Sequence, residues 1–414
     1  MVVDGPQSLA LRLQLSEDCR SLGEATEQTR SREGEFAMAY EHGKITNEGI
    51  AKLRARIGKG FEGRQPWRTE INRDAIWHLA HAIGDLSPLY TDAAYAAKTR
   101  WGKLLSPGVI LRCFDTLSAP GSAGLPEGLP GVHSIWSGSH YEWERPLMIG
   151  DRIHAECYLK DVVEKTSKFT DGRTVYQTYE AVYHDQNDAY VGKRSDTYMR
   201  ADRNKTRETS KYKEEDKLVH WTPEDIERFQ DDYRNEKRTT ERYWEDVKVG
   251  DDIGQVIKGP LTGTAEIAFE SFFGIYLVGN IVASRLLDKH PKLMVPNEQG
   301  VPEPPQRVHW DNKFTQDTLG LAGAYDLGLE RLSWMCHAAT NWLGDHGFLT
   351  FIDARYKKFN YLGDVTWARG KVTEKLERKG KKIVKLDLHT INHRDQVTAT
   401  AVAEAVLPSR GEKS

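Results

Sequence analysis

Two stretches of the chain place ionisable side chains where acid–base chemistry could be done. The first is Ala82-Ile83-Gly84-Asp85-Leu86-Ser87-Pro88-Leu89-Tyr90-Thr91-Asp92, after an apolar run of helical spacing, Ile76-Trp77-His78-Leu79-Ala80. The second is Val308-His309-Trp310-Asp311, with Gly323-Ala324-Tyr325-Asp326-Leu327-Gly328 close behind. An imidazole titrates near neutral pH, so His309 is the leading candidate for moving a proton. A tyrosine, with a pKa near ~10, donates a proton but is a poor base at neutral pH, so Tyr90 is either a donor or a packing residue. Asp85 reads as an acid–base group or as the cap of a helix starting near Pro88. Asp326 reads as a carboxylate that orients His309 or as a complement to the positive end of the following helix. Asp311 is a further carboxylate beside His309. Glu270 and Glu330 are weaker acid candidates. Gly108 and Gly328 could present N–H groups to a substrate oxygen, or act as turn glycines.

The elements that must position these groups fall into two halves. A chain of 414 residues is too long for one ordinary core. Residues 1–34 are polar and rich in Glu, Arg and Ser, which predicts a tail. Residues 204–239 are a charged linker whose later part opens with Thr222-Pro223-Glu224-Asp225, a helix-capping sequence. Few buried contacts are expected over residues 1–35 and 203–220. Domains are therefore expected at 35–203 and 240–408. Each contains a Gly-Asp pair opening a long alternating strand: Gly150-Asp151 before RIHAECYLKDVVEK, and Gly363-Asp364 before VTWARGKVTEK. Each contains a helix ahead of that strand, over Ile110 to Leu117 and over Leu329 to Leu343, and each ends in further strands. The pattern is α+β. It predicts two superposable halves with separate sheets, and Gly150 and Gly363 at the same topological position.

Composition removes several function classes. A net charge of −3 gives no global pull toward nucleic acid or anionic membrane. The cysteines Cys19, Cys113, Cys157 and Cys336 form no CxxC pair, which argues against a zinc site or a disulfide scaffold. No run of apolar residues is long enough to span a membrane, and the first residues lack the basic and apolar regions of a signal peptide. Gly58-Lys59-Gly60 lacks P-loop spacing. A cytoplasmic protein is the expectation.

The segment Gly84-Asp85-x-Ser87-Pro88-Leu89-Tyr90-x-Asp92 resembles the signature of MaoC-like R-specific enoyl-thioester hydratases, Gly-Asp-x-Asn-Pro-[Leu/Ile]-His-x-Asp. Further marks are Gln65-Pro66-Trp67, Arg100-Trp101-Gly102, Pro130-Gly131-Val132-His133, Ser137-Gly138-Ser139 and Asn341-Trp342-Leu343-Gly344-Asp345. The resemblance covers most of both halves. It implies two hot-dog folds in one chain, each an antiparallel sheet wrapped around a long helix, paired as a pseudo-dimer. It implies an Asp/His dyad that adds water to a 2-enoyl thioester or removes it from a 3-hydroxyacyl thioester, with no metal or redox cofactor. The partner is then acyl-CoA or an acyl carrier protein thioester. The assembly implied is a homodimer or a heteromer with another MaoC-like subunit. Asp85 keeps the family's acid, but Tyr90 stands at the His position. In the second half His309 stands there, and Pro304 occupies the place of the Asp. The catalytic set implied is His309, Asp85, Asp326 and Tyr90, with Gly108, Gly328 and Asp311 binding substrate. Two alternatives stay open: a thioesterase, with Asp85 or Glu270 activating water, and a degenerate subunit that binds acyl thioesters without turnover.

Overall fold

Left-handed glycines end the same helices and open the same strands in both halves. The computed structural model describes residues 43–61, 65–117, 129, 132–167, 172–201, 217–274, 284, 287–288 and 294–411. Few buried contacts were expected over residues 1–35 and 203–220; of these, 1–35 and 203–216 lie outside the described residues, while Leu218 and Val219 are half-buried. The helices are α1 (Asn47–Arg54), α2 (Arg73–Ile83), α3 (Pro88–Thr91), α4 (Ala93–Ala96), α5 (Pro223–Arg234), α6 (Gly263–Phe273), α7 (Asn312–Leu319) and α8 (Gly328–Leu343). The first half carries strands β1 (His133–Trp143), β2 (Ile153–Ser167), β3 (Gly172–Asp185) and β4 (Tyr190–Ala201). The second carries β5 (Asp252–Lys258), the short pair β6 (Val295–Pro296) and β7 (Pro302–Glu303), then β8 (Phe348–Tyr356), β9 (Thr366–Arg378), β10 (Lys381–Asn392) and β11 (Val397–Val406).

The repeat is visible residue by residue. Helices α2 and α6 stop at Gly84 (φ 65°) and Gly274 (φ 66°), a conformation that only glycine adopts without strain. Asp92 caps α4 and Asp311 caps α7 with nearly the same backbone angles, φ/ψ −123/104° and −119/104°. Tyr90 and His309 each stand two residues before that cap. Gly150 (φ 90°) and Gly363 (φ 91°) turn the chain into β2 and β9. The Asp151 and Asp364 carboxylates accept the N–H three residues back, Met148 and Tyr361, each at 2.9 Å.

The expectation of separate sheets needs correction. One antiparallel sheet of nine strands runs β2-β3-β4-β1-β8-β11-β10-β9-β5. The halves join where β1 pairs β8, from Gly138↔Arg355 to Glu142↔Phe351. Pairing two edges satisfies the backbone groups that two separate sheets would leave open. At the seam a Cβ added to Gly138 would lie 2.9 Å from the Ala354 carbonyl, so the approach needs glycine. The two outer edges are handled differently. The stretch after α1 bridges to β2 at Ile57/Leu159 and Gly60/Tyr158. Strand β5 is broken by Gly254 (φ 78°), and its pairing with β9 jumps between Asp252 and Gln255.

The central helix of the second half is α8, with 14 of its 16 residues buried. It lies against β5, β8, β9, β10 and β11, and against β1 of the first half. The first half differs from the expected helix over Ile110 to Leu117: a 3₁₀ segment, Gly108–Phe114, occupies that place. Asp115 ends it in extended conformation and accepts the Leu117 N–H at 2.9 Å, a local turn that competes with helix. Behind the segment lies a buried ion network. Arg194 binds Asp115 (2.6 Å), Tyr183 (2.8 Å) and Asp196, and Arg112 binds Asp196 (3.2 Å) and Tyr198 (3.3 Å). Removing one member of a buried pair strands the other's charge, at a typical cost of ~3–5 kcal/mol. Arg194→Met is expected to destabilise the protein by about that much in urea unfolding. A loss under ~1 kcal/mol would show that the network does not hold the first half together.

Candidate active site

The turn after α2 is closed by two hydrogen bonds, Gly84 N–H to His81 O (3.1 Å) and Asp85 N–H to Ala80 O (2.8 Å). This Schellman arrangement fixes the Asp85 backbone. The Asp85 carboxylate accepts the Ser87 N–H (3.2 Å), and Ser87 in turn caps α3 and accepts from Arg238 Nε (3.2 Å). Asp85 is 2% exposed. It lines a cleft between the halves, a setting in which small-molecule sites commonly form. First-half walls include Leu89, Tyr90, Gly108, Val109, Trp143 and Leu147. The facing wall is α8, through Ser333, Cys336, His337, Thr340 and Asn341, continued by Phe348 and Leu349.

The group that faces Asp85 is His337, at 3.5 Å from Nε2 to Oδ1. Its Nε2 also lies 3.2 Å from Glu236 Oε1 and 3.0 Å from the Asn341 amide nitrogen, which donates to Glu236 (2.9 Å). On the other side of the ring, Nδ1 lies 2.9 Å from Lys258 Nζ. Burial pushes the Lys258 ammonium down to about 8, against the pull of Asp85 and Glu236. Burial alone would raise the Glu236 carboxyl; hydrogen bonds with His337 and Asn341, together with the Lys258 ammonium, hold it below the usual range. Burial pushes the Cys336 thiol up to about 12, which leaves it protonated and unsuited to attack a thioester. Tyr90 is buried, which pushes its hydroxyl well above its ordinary value, and it packs toward Thr340. It is no base.

Of the residues singled out from the sequence, Asp85, Tyr90 and Gly108 line this cleft. His309, Asp311, Asp326 and Gly328 do not; they lie in the second half's counterpart of the region. The structure does not bring His309 to Asp85. His309 Nδ1–H donates to the Tyr325 carbonyl (2.6 Å), Nε2 is 3.8 Å from Glu270, and burial pushes the ring down to about 4. Asp311 caps α7 and pairs with Arg307 (3.2 Å). Asp326 accepts from Asn360 (2.8 Å) and pairs with Arg331 (3.0 Å) rather than orienting His309. Gly328 lies under Tyr356, which an added Cβ would meet at 2.6 Å. The sequence reading missed His337, Asn341, Lys258 and Glu236. His337 and Asn341 stand four residues apart on α8, the spacing of one helix face. Lys258 is a cation after Val256 and Ile257 in a strand. Glu236 and Arg238 sit in the charged stretch read as linker.

Among the described residues, no group of three or more His, Cys, Asp or Glu is arranged to hold a metal ion. Likewise, no described helix is long and apolar enough to cross a membrane.

An antiparallel sheet wrapped on a central helix in the second half, its repeat in the first, and a cleft between them define a double hot-dog protein. The comparisons agree. The family model of the FAS1-like dehydratase domain region matches residues 55–194. The chain is 30% identical over 105 residues to the (R)-specific enoyl-CoA hydratase of Aeromonas caviae, covering 24% of this chain and 74% of that protein. It is 25% identical over 114 residues to a UPF0336 protein of Thermobifida fusca (strain YX), covering 27% and 74%. A solved MaoC-like dehydratase superposes with a TM-score of 0.57 at 15% identity, covering 86% of this chain and all of its own. A double hot-dog protein of Mycobacterium tuberculosis gives 0.51 at 11% identity, covering 84% and 96%. The chain belongs to the MaoC-like hydratase and dehydratase family.

Beside His309 the second half buries a cluster of carboxyls, Glu266, Glu270, Glu330 and Asp326, of which Asp326 pairs with Arg331. Burial pushes Glu266, Glu270 and Glu330 well up, and neighbouring carboxyls push them further; Asp326 rises to about 6. These acids keep protons in the fold at a pH where the unfolded chain, with values near 4.5, has lost them. The folded state then binds more protons, so stability is full in acid and falls as pH rises from about 4.5 through 6 and beyond. Glu330→Gln, which cannot ionise, is expected to flatten the decline. Melting temperatures of both proteins between about pH 5 and 8 check it; parallel curves would show that Glu330 does not contribute.

Proposed function

We propose that the protein hydrates a 2-enoyl thioester, or dehydrates a 3-hydroxyacyl thioester, in the cleft between its halves, with Asp85 and His337 as the acid–base pair. The observation that carries the reading is the 3.5 Å approach of His337 Nε2 to Asp85 Oδ1 at an apolar-walled cleft. Two groups at that separation can both reach one water within about 3 Å. In hydration, Asp85 takes a proton from that water as its oxygen bonds to C3. The alkene electron pair moves to C2, and negative charge gathers on the thioester oxygen. His337 Nε2–H then delivers a proton to C2, and the proton held by Asp85 passes back to the ring. Atoms and charge balance, and no cofactor takes part. The Gly108 carbonyl is taken by Trp143 Nε1 (3.0 Å); its N–H is the donor proposed for the thioester oxygen, which gains charge in the transition state. Tyr90, Leu89 and Trp143 serve as wall for the acyl chain. Enoyl-CoA, the substrate named for the Aeromonas caviae relative, is the proposed form of the unsaturated thioester.

The test is the absorbance of the conjugated enoyl thioester over a panel of acyl-CoAs, with free CoA measured in parallel. Asp85→Asn and His337→Ala are each expected to lower kcat by ~10²–10⁴-fold, the usual worth of one acid–base group. His309→Ala is expected to stay within about tenfold of the unaltered protein. A folded His337→Ala with full activity would overturn the assignment. Release of free CoA without loss of enoyl absorbance would replace it with a thioesterase.

A further inference from the structure

Three acceptors surround the Lys258 ammonium: the carbonyl oxygens of Ile83 (2.8 Å) and Gly84 (3.0 Å), and His337 Nδ1 (2.9 Å). An ammonium has three N–H donors and no lone pair, so each donor has one partner here. The third donor points at the Nδ1 lone pair. A neutral imidazole carries one proton, and with Nδ1 accepting, that proton sits on Nε2. We infer that Lys258 is a positioning residue that fixes His337 as the Nε2–H tautomer, turning its proton toward the carboxylates of Glu236 (3.2 Å) and Asp85 (3.5 Å). The inference rests on the reading of His337 as the proton donor in hydration. The same ammonium grips both carbonyls at the end of α2, so it also anchors the turn that carries Asp85. One buried cation thereby aligns both members of the pair, from a strand that contributes nothing else to the cleft wall.

The groups facing this centre come from every element packed on it. Asp85 comes from the turn after α2, Glu236 from the segment after α5, Lys258 from β5, and Cys336 and Asn341 from α8 beside His337. When Lys258 loses its proton, Nζ gains a lone pair that accepts Nδ1–H. The ring proton then moves from Nε2 to Nδ1, Nε2 becomes an acceptor for the Asn341 amide, and His337 no longer donates toward Asp85. Burial, which draws Lys258 down to about 8, sets that exchange just above neutral pH.

The experiment is ring-nitrogen NMR of the full-length protein labelled with ¹⁵N-histidine, with His337 identified by the signals lost in His337→Gln. The expected result at about pH 7 is a protonated Nε2 and an unprotonated Nδ1, exchanging to the other tautomer as the pH passes through about 8. Lys258→Met is expected to show Nδ1–H or a mixture of tautomers already at pH ~7, and to lower kcat by ~10-fold or more with KM nearly unchanged. The inference is overturned by Nδ1–H or an imidazolium in the unaltered protein near neutrality. It is equally overturned if the tautomer of a folded Lys258→Met matches that of the unaltered protein. Should Lys258→Met not fold, the titration of the unaltered protein decides alone: Nε2–H persisting to pH ~10, the ordinary lysine range, overturns it. The expected tautomer in a protein that turns over no enoyl thioester would sink the hydratase reading and leave this inference standing. Turnover with the opposite tautomer would do the reverse.

Discussion

A helix enclosed on every side offers its polar side chains no water, so each must find a partner on another element. Helix α8 is such a helix, and much of the structure follows from satisfying it. Ser333 turns back to the Leu329 carbonyl (2.8 Å), and Arg331 reaches the carbonyls of Lys358 (2.6 Å) and Thr398 (3.1 Å). His337 and Asn341 reach one another along the helix (3.0 Å), but their other partners come from β5, from the segment after α5, and from the turn after α2 in the other half. The buried imidazole is therefore satisfied only when both halves and the connecting segment are assembled. The contacts that make His337 tolerable inside the protein are the same contacts that bring it to Asp85.

The halves solve the burial problem in opposite ways. The first half, with a 3₁₀ segment in place of a long helix, fills its interior with two arginines and two aspartates whose charges cancel. The second half buries a full helix and keeps its surplus carboxyls protonated instead. The short segment of the first half leaves room on its side of α8, and the cleft lies there. In the second half's counterpart region His309 is buried and turned to the Tyr325 carbonyl.

Much of this was legible because it depends on local chemistry. The Gly-Asp turns, the capping sequence at Thr222 and the extent of α8 each follow from a few neighbouring residues, and Asp85 was found from its motif. His337 was not, because a helix buried all round loses the alternation of apolar and polar faces by which a functional residue stands out. Only its pairing with Asn341, four residues on, hinted at a shared polar face. Glu236 was hidden in a stretch of charges that reads as solvated linker. The expected joining of Asp85 to His309 relied on the idea that each half would lend one member of the family's dyad from the same motif position. The imidazole that the structure places beside Asp85 comes instead from the central helix, a position the motif does not describe. Separate sheets were expected because the pairing of β1 with β8 depends on how the halves meet, which no local pattern encodes.

The seam between β1 and β8 shows that this sheet is extended by edge pairing, and a sheet built that way needs a means of stopping. Strand β2 is stopped by the chain itself, where Ile57 and Gly60 occupy its outer edge. Strand β5 is stopped by the break at Gly254, which spoils the regular ladder a newcomer would need. Each edge strand of the nine-stranded sheet thus carries an interruption that a further strand would have to displace. The sheet is finished at its edges in the way a zip is finished by the stops at its ends.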